Sequence, residues 1–234
     1  MDLPDLSRLS LKSGVRDEWL KACGTRPAFK WWKSMRAADK YRLLHGVAAK
    51  ADDDSRDNGD YLSAYEQVDI DDLRPGTWSV EHVVPRSHIN GRSRPGPGEN
   101  DPNGWIEATG RANSRRSNHP LYLWPNPDGM LAPPNTLVIV DNELHYVPPP
   151  EQRGRLARKW LFIRATYFGI QPPTTAQRNR AAAIVALAQY DPIYPAERRV
   201  NEHYRATLGW ANPLLEEGAE RWYENAAWRA LVFG

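Results

Sequence analysis

The first part of the chain has the apolar spacing of helices. Across residues 11–50, apolar side chains recur at intervals that place them on one helical face. They form two sets: Val15, Trp19, Leu20 and Cys23, then Phe29, Trp32, Met35 and Leu43-Leu44. The segment 51–60 is acidic and contains Gly and Asn, which predicts a loop that separates this helical part from the rest.

The central segment changes to strand-like patterning. Trp78 to Val84 predicts a strand ended by Pro85, and 87–98 predicts a loop because it is rich in Gly, Pro, Ser and Arg. Trp105 to Ala108 predicts a second short strand. Thr109 is then an expected N-cap for a short helix that carries Asn113.

The last part of the chain predicts one more strand and three helices. They are a strand over 137–140 and helices over 153–167, from Thr174 or Thr175 to Tyr190, and over 214–231. The second half of the chain is therefore mixed, and the predicted fold class is α+β, with a mainly helical body around a small strand-containing core.

Charge is distributed unevenly along the 234 residues. Between residues 51 and 74 there are nine acidic and two basic residues, whereas 75–200 carries 15 basic and 10 acidic residues. A basic body suggests a polyanionic partner, although a solvated surface would give the same count. Cys23 is the only cysteine, no long apolar run suggests a membrane segment, and no signal peptide is recognised. We therefore expect an intracellular protein.

Glu81, His82 and Asn113 have the side chains that metal-dependent hydrolysis of a phosphodiester would need. A phosphodiester resists hydrolysis because its charge repels nucleophiles, so catalysis needs a cation on the phosphate oxygens and a positioned base. Carboxylate and amide oxygens suit Mg²⁺, and a neutral imidazole suits the base. From spacing alone, a structural histidine satisfied by hydrogen bonds remains the default interpretation of His82. Zinc is disfavoured, since no His or Cys pair has ligand spacing.

Several motifs occur in an order that resembles one family. They are Trp78 before Glu81-His82-Val83-Val84-Pro85, then Glu99 and Asp101, Gly110 to Asn118, Pro148-Pro149, Arg153-Gly154 to Arg158, Asp191-Pro192, Glu197 to Glu202 and Gly209 to Pro213. Over residues 78–217 this order resembles the endonuclease I family, non-specific nucleases with a ββα-metal (His-Me finger) core.

The resemblance implies roles for individual residues. Glu81 and Asn113 would bind Mg²⁺, for which Mn²⁺ or another divalent cation can substitute, His82 would activate the attacking water, and Glu99 would support the metal site. The substrate would be DNA, with RNA as a second candidate, and the products would carry 5′-phosphate and 3′-hydroxyl ends. The family's phosphate-binding arginine cannot be carried over by position, because the loop before Glu99 is shorter here. Its candidates are Arg92, Arg94 and Arg116.

Residues 1–74 lie outside the resemblance. We expect an N-terminal helical extension with an acidic linker over 1–74 and the nuclease domain over 75–234. The extension could bind a protein partner or restrain activity, although a solvated linker explains the acidic run equally simply. The competing function is a nucleic-acid-binding module whose nuclease core is inactive or restrained.

Overall fold

The structure is a computed structural model of the protein. The residues that it describes are 6–30, 32–36, 39–40, 43–44, 65, 78–90, 97–124, 133–167 and 170–234. Their helices are α1 (Leu6–Cys23), α2 (Arg86–Asn90), α3 (Gly110–Arg116), α4 (Arg153–Thr166), α5 (Thr175–Asn179), α6 (Ala181–Tyr190), α7 (Pro195–Leu208), α8 (Glu220–Glu224) and α9 (Ala226–Phe233). Their strands are β1 (Trp78–His82), β2 (Trp105–Thr109), β3 (Leu137–Val140) and β4 (Glu143–Tyr146).

These elements confirm the predicted mixture of helices and strands. Within the described ranges, the strands form two small antiparallel sheets, β1 with β2 and β3 with β4, and the remaining elements are helical. Among the helices that the structure describes, none is both long enough and apolar enough to cross a membrane.

The first sheet and the helix after it form a strand–strand–helix unit. Trp78 lies opposite Thr109, and His82 lies opposite Trp105. Helix α3 begins directly after β2 and packs against both strands. The side chain of Thr109 accepts a hydrogen bond from the backbone N–H of Ala112 at 3.1 Å, which confirms the predicted N-cap.

The segment after β1 differs from the prediction. The strand ends at His82 rather than at Val84, and α2 forms inside the stretch that was expected to be a loop. Pro85 explains the change, because its carbonyl accepts hydrogen bonds from the N–H groups of His88 and Ile89 at 2.8 and 3.1 Å. A proline at the start of a helix gives up no hydrogen bond, since its missing N–H would have no partner there.

The second sheet is a hairpin, of which only the first strand was predicted. Asp141 and Asn142 connect β3 to β4 and have φ values of 50° and 64°. Two successive left-handed residues match the right-handed twist of a hairpin. Tyr146, at the end of β4, donates its N–H to the carbonyl of Pro120, which joins the hairpin to the chain that follows α3.

Helix α4 lies at the centre of the helical body and is buried on nearly every side. Its predicted apolar face is buried, but so are four of its basic residues, Arg153, Arg155, Arg158 and Lys159. Arg158 pairs with Glu197 at 2.6 Å, and Arg155 pairs with Glu107 at 3.0 Å. A buried cation requires such a partner, because unpaired burial costs several kcal/mol.

Helix α1 belongs to the same hydrophobic core as α4. The ring of Trp19 packs against Trp222 and Trp228 with centroid separations of 5.1 and 5.4 Å. Its Nε1 also donates to the hydroxyl of Thr166 at 3.0 Å. This helix of the predicted extension is therefore packed into the same body as the residues from 75 onward. The acidic segment 51–60 lies outside the described residues.

The end of the chain corrects the prediction of one long helix over 214–231. A short 3-10 turn, Pro213–Leu215, is followed instead by α8 and α9. Gly218 adopts a left-handed φ of 77°, which a continuous helix excludes. Asn225 then starts a new helix, because its side-chain oxygen accepts from the N–H groups of Ala227 and Trp228 at 2.9 and 3.0 Å.

The helix predicted from Thr174 to Tyr190 is present as two helices. It divides into α5 and α6 at Arg180. Thr174 starts α5 with a capping box shared with Gln177, which agrees with the predicted start. Helix α7 was not predicted; it begins with a proline at its first position and ends at Gly209, whose φ of 63° is left-handed.

Candidate active site

The strand–strand–helix unit places Asn113 against the face of β1 that carries Glu81. Side chains alternate along a strand, so Ser79 and Glu81 project from one face. The amide nitrogen of Asn113 donates to Ser79 Oγ at 2.9 Å and to the carbonyl of Val80 at 3.3 Å. These two bonds use the nitrogen, so the amide oxygen Oδ1 is the atom that Asn113 can offer to a cation.

Glu81 is held in place by Tyr65, Arg116 and the backbone of His82. The residue is only 2% exposed. The hydroxyl of Tyr65 donates to Oε1 at 3.0 Å, and Nη1 of Arg116 lies 2.7 Å from the same oxygen. Burial raises the pKa of Glu81, while Arg116 and Tyr65 oppose that rise. Because the contacts with Tyr65 and Arg116 both fall on Oε1, we take the second oxygen, Oε2, as the one that would face a cation.

His82 is fixed by a backbone carbonyl. Its Nε2 lies 2.9 Å from the carbonyl oxygen of Glu99, which also accepts from the indole nitrogen of Trp105 at 2.9 Å. A carbonyl only accepts, so Nε2 carries the proton and the lone pair of the neutral ring lies on Nδ1. Burial lowers the pKa of His82 to about 3, which keeps the ring neutral near pH 7.

The carboxylate of Glu99 contacts a residue that was not predicted for the site. It is buried and forms an ion pair with Nε of Arg86, the first residue of α2. Glu99 therefore reaches the site through its backbone, which orients His82, while its side chain ties α2 to the same segment. The predicted role of Glu99 in support of a metal stays a prediction.

Arg116 requires a correction. The sequence made it a candidate for contact with nucleic-acid phosphate, but its side chain is only 1% exposed. Besides Glu81, its guanidinium donates to the carbonyls of His82 and Val83 at 3.0 and 2.8 Å. The guanidinium therefore binds groups inside the protein, where its positive charge balances the carboxylate of Glu81. Arg92 and Arg94 lie outside the described residues.

Two residues of the site were missed by sequence reasoning. Tyr65 comes from the segment outside the family resemblance, and its aromatic side chain after the acidic run was the nearest signal. Arg86 follows the Glu-His-Val-Val-Pro motif directly, so its proximity was a usable signal. Tyr65 also packs edge-on against Tyr146 at 4.9 Å, which secures its position in the core.

Hydrogen bonds to the carboxylate of Asp101 stabilise the segment that leads into the second strand, β2. The backbone and side-chain nitrogens of Asn103 both donate to Asp101 Oδ1 at 2.9 and 3.0 Å. Tyr167 and Trp210 donate to the other oxygen of Asp101 at 2.6 and 2.8 Å. The carboxylate is fully buried and receives four hydrogen bonds, so it fixes the segment that leads into β2.

The donor atoms fit a hard divalent cation that keeps most of its water. Among the described residues, no group of three or more His, Cys, Asp or Glu is placed to hold a metal. Mg²⁺ needs fewer protein ligands than such a group, commonly one or two oxygens with water completing the shell. Glu81 Oε2 and Asn113 Oδ1 are oxygens of that kind, on adjoining parts of one strand and one helix.

Comparisons with known proteins add no assignment. A scan of protein-family models finds no family that matches the chain, and a search of curated proteins finds no match. The interpretation of the site therefore depends on its residues and their geometry.

Proposed function

We propose that the protein is a metal-dependent endonuclease that hydrolyses phosphodiester bonds of DNA with little sequence preference; RNA is a second candidate substrate. The observation that carries this proposal is the pairing of β1 with β2 and α3. It brings Asn113 of α3 against the strand face that carries Glu81, and it holds the neutral ring of His82, the next residue, in one orientation. The resemblance of residues 78–217 to the endonuclease I family supports the same function, with the unit serving as a ββα-metal core.

Glu81 and Asn113 would hold Mg²⁺ or Mn²⁺ through Oε2 and Oδ1. The cation supplies positive charge at the phosphate oxygens, where negative charge develops during hydrolysis. Arg116 and Tyr65 keep the carboxylate of Glu81 in one orientation. Asn113 is oriented in the same way by its bonds to β1, so both ligands are preorganised.

His82 would remove the proton from the attacking water. The water oxygen forms a bond to phosphorus, its proton passes to Nδ1 of His82, and the bond from phosphorus to the 3′ oxygen breaks. The 3′ oxygen takes a proton from solvent, which leaves a 3′-hydroxyl and a 5′-phosphate. The carbonyl of Glu99 keeps Nε2 protonated and so keeps the lone pair on Nδ1.

The alternative is a nucleic-acid-binding protein whose core is inactive or restrained. It is favoured by the closed form of the site, since Glu81 and His82 are 2% and 5% exposed and Glu81 already pairs with a cation. Restraint by residues 1–74 stays a prediction. Deleting those residues would also remove Trp19 and Tyr65 from the core, so single substitutions are the better test.

The experiment for the proposal is hydrolysis of a labelled DNA duplex by the purified chain. We expect cleavage with Mg²⁺ or Mn²⁺, none with EDTA, and products that a kinase can label only after phosphatase treatment of their 5′ ends. Retention of DNA on a gel with no cleavage under any divalent cation would favour the binding protein instead. A matching RNA substrate tests the second candidate.

Replacing Asn113 with alanine should raise the Mg²⁺ concentration needed for half-maximal cleavage by at least about tenfold, since supporting contacts at metal sites have effects of that size. Metal titration of the cleavage rate measures this. Asn118→Ala is the matched control, because Asn118 is exposed after the same helix. A titration curve that does not move for Asn113→Ala would remove Asn113 from the metal site.

Replacing Tyr65 with phenylalanine should also raise the Mg²⁺ requirement, by about three- to tenfold, which corresponds to the usual net contribution of one hydrogen bond. Tyr146→Phe is the control, because Tyr146 packs against Tyr65 but donates its hydroxyl to Asn135 instead of Glu81. Equal metal requirements for the two variants would mean that the hydroxyl of Tyr65 does not orient the metal ligand.

A further inference from the structure

A groove of about 720 Å³ opens where β1 ends. One wall consists of Val83, Val84 and Pro85, which directly follow the candidate base, and of His88 on α2. His119 contributes to another wall, shortly after the end of α3. The groove therefore begins at the two segments that leave the candidate active site.

Two arginines line the groove. Arg164 stacks over the ring of Trp160 at 5.0 Å and is anchored by bonds from Nε to the carbonyl of Val232 at 2.9 Å and from Nη1 to that of Gln171 at 2.8 Å. Burial, and then the charge of Arg178, lowers the pKa of Arg164 to about 10, so it remains a cation near pH 7. Two like charges held in one groove favour an anion between or beside them.

Among the described residues, the hydrogen-bond partners of Arg178 are groups close to it in sequence. Its Nη1 donates to the carbonyl of Pro173 at 2.6 Å and its Nη2 to the hydroxyl of Thr175 at 3.2 Å. Burial lowers the pKa of His88 to about 4, with Arg116 and Arg164 adding to the effect, so that imidazole is neutral and can donate one hydrogen bond. Glu143 is the acidic residue among those that line the groove.

We propose that this groove binds the phosphate backbone of the substrate strand next to the reacting phosphodiester. The proposal rests on the proposed nuclease function, and it assigns the grip on the strand to Arg164 and Arg178. Arg116, which the sequence had suggested for that role, is occupied inside the protein. Arginine suits phosphate because its planar fork can donate two parallel hydrogen bonds. Such contacts hold any sequence equally well.

The test uses Arg178→Gln, which removes the positive charge. The hydrogen bonds that it removes go to Pro173 and Thr175, close to Arg178 in sequence. Arg229→Gln is the matched control, because Arg229 is exposed on α9 and does not line the groove. Both are made in a His82→Ala protein, and binding of a labelled DNA oligonucleotide is measured by fluorescence anisotropy over a range of salt. We expect Arg178→Gln to weaken binding about three- to tenfold and to lower the salt slope by about one, the effect of one lost phosphate contact.

The possible results separate this proposal from the function on which it rests. If Arg178→Gln binds DNA more weakly but the intact chain does not cleave it, the groove proposal stands and the proposed nuclease function is wrong. If the intact chain cleaves DNA but Arg178→Gln and Arg229→Gln have equal affinities and salt slopes, the proposal that this groove binds the strand is wrong. If millimolar inorganic phosphate abolishes the difference between the variants, the groove is a small-anion site and the proposal is wrong.

Discussion

Replacing His82 with alanine is expected to slow DNA cleavage by about 10²- to 10⁴-fold while leaving DNA binding unchanged. That is the usual contribution of a general base in this kind of reaction. The carbonyl of Glu99 fixes Nε2 as the donor, so Nδ1 is the atom that can accept a proton. Single-turnover cleavage of a labelled duplex measures the rate, and anisotropy measures the binding.

His203→Ala is the control for that prediction, because His203 lies on α7 and makes its ring contact with Tyr204, away from β1. Thermal unfolding of both variants shows whether the loss of the ring beside Trp105 has damaged the fold. A folded His82→Ala protein that cuts DNA within about threefold of the parent rate would be incompatible with His82 as the base.

Replacing Arg116 with methionine is expected to lower the free energy of unfolding by about 3–5 kcal/mol, the cost of leaving a buried carboxylate without its counter-charge. The substitution removes the ion pair with Glu81 and the bonds to the carbonyls of His82 and Val83. Urea unfolding measures the change. Arg115→Met is the control, since the neighbouring Arg115 is exposed and makes one long bond, to Asn135.

A second substitution tests whether the unpaired charge of Glu81 causes that loss of stability. Glu81→Gln added to Arg116→Met should restore part of the lost stability, because it removes the unpaired buried charge. If Arg116→Met instead unfolds at the parent's urea concentration but binds DNA more weakly, Arg116 contacts phosphate, as the sequence alone had suggested.

The elements around the candidate site could be predicted because local signals specify them. The β-favouring residues before Pro85 and the capping hydroxyl of Thr109, which begins the short helix that carries Asn113, both act within a few residues. Two of the observed differences, α2 and the division of the last helix, also have local causes. These are the start at Pro85 and the left-handed Gly218, and both are weak signals next to the apolar pattern.

The contacts inside the site could not be predicted, because they join residues that are distant in sequence. Arg116 was counted as a surface charge, since most arginines are exposed, and only the folded unit shows it buried against Glu81. Tyr65 reaches Glu81 from outside the recognised motifs. The salt bridges of α4 were hidden in the same way, because helical periodicity alone cannot show that a basic face is covered.

The central claim is that Glu81, His82 and Asn113 form a metal-dependent site for phosphodiester hydrolysis. Conversion of a supercoiled plasmid to nicked and linear forms tests it most directly, with the intact chain and the His82→Ala variant assayed side by side, each with Mg²⁺ and with EDTA. The account predicts conversion only by the intact chain with Mg²⁺. Equal conversion by His82→Ala, conversion in EDTA, or retardation of the plasmid without any nick would contradict it.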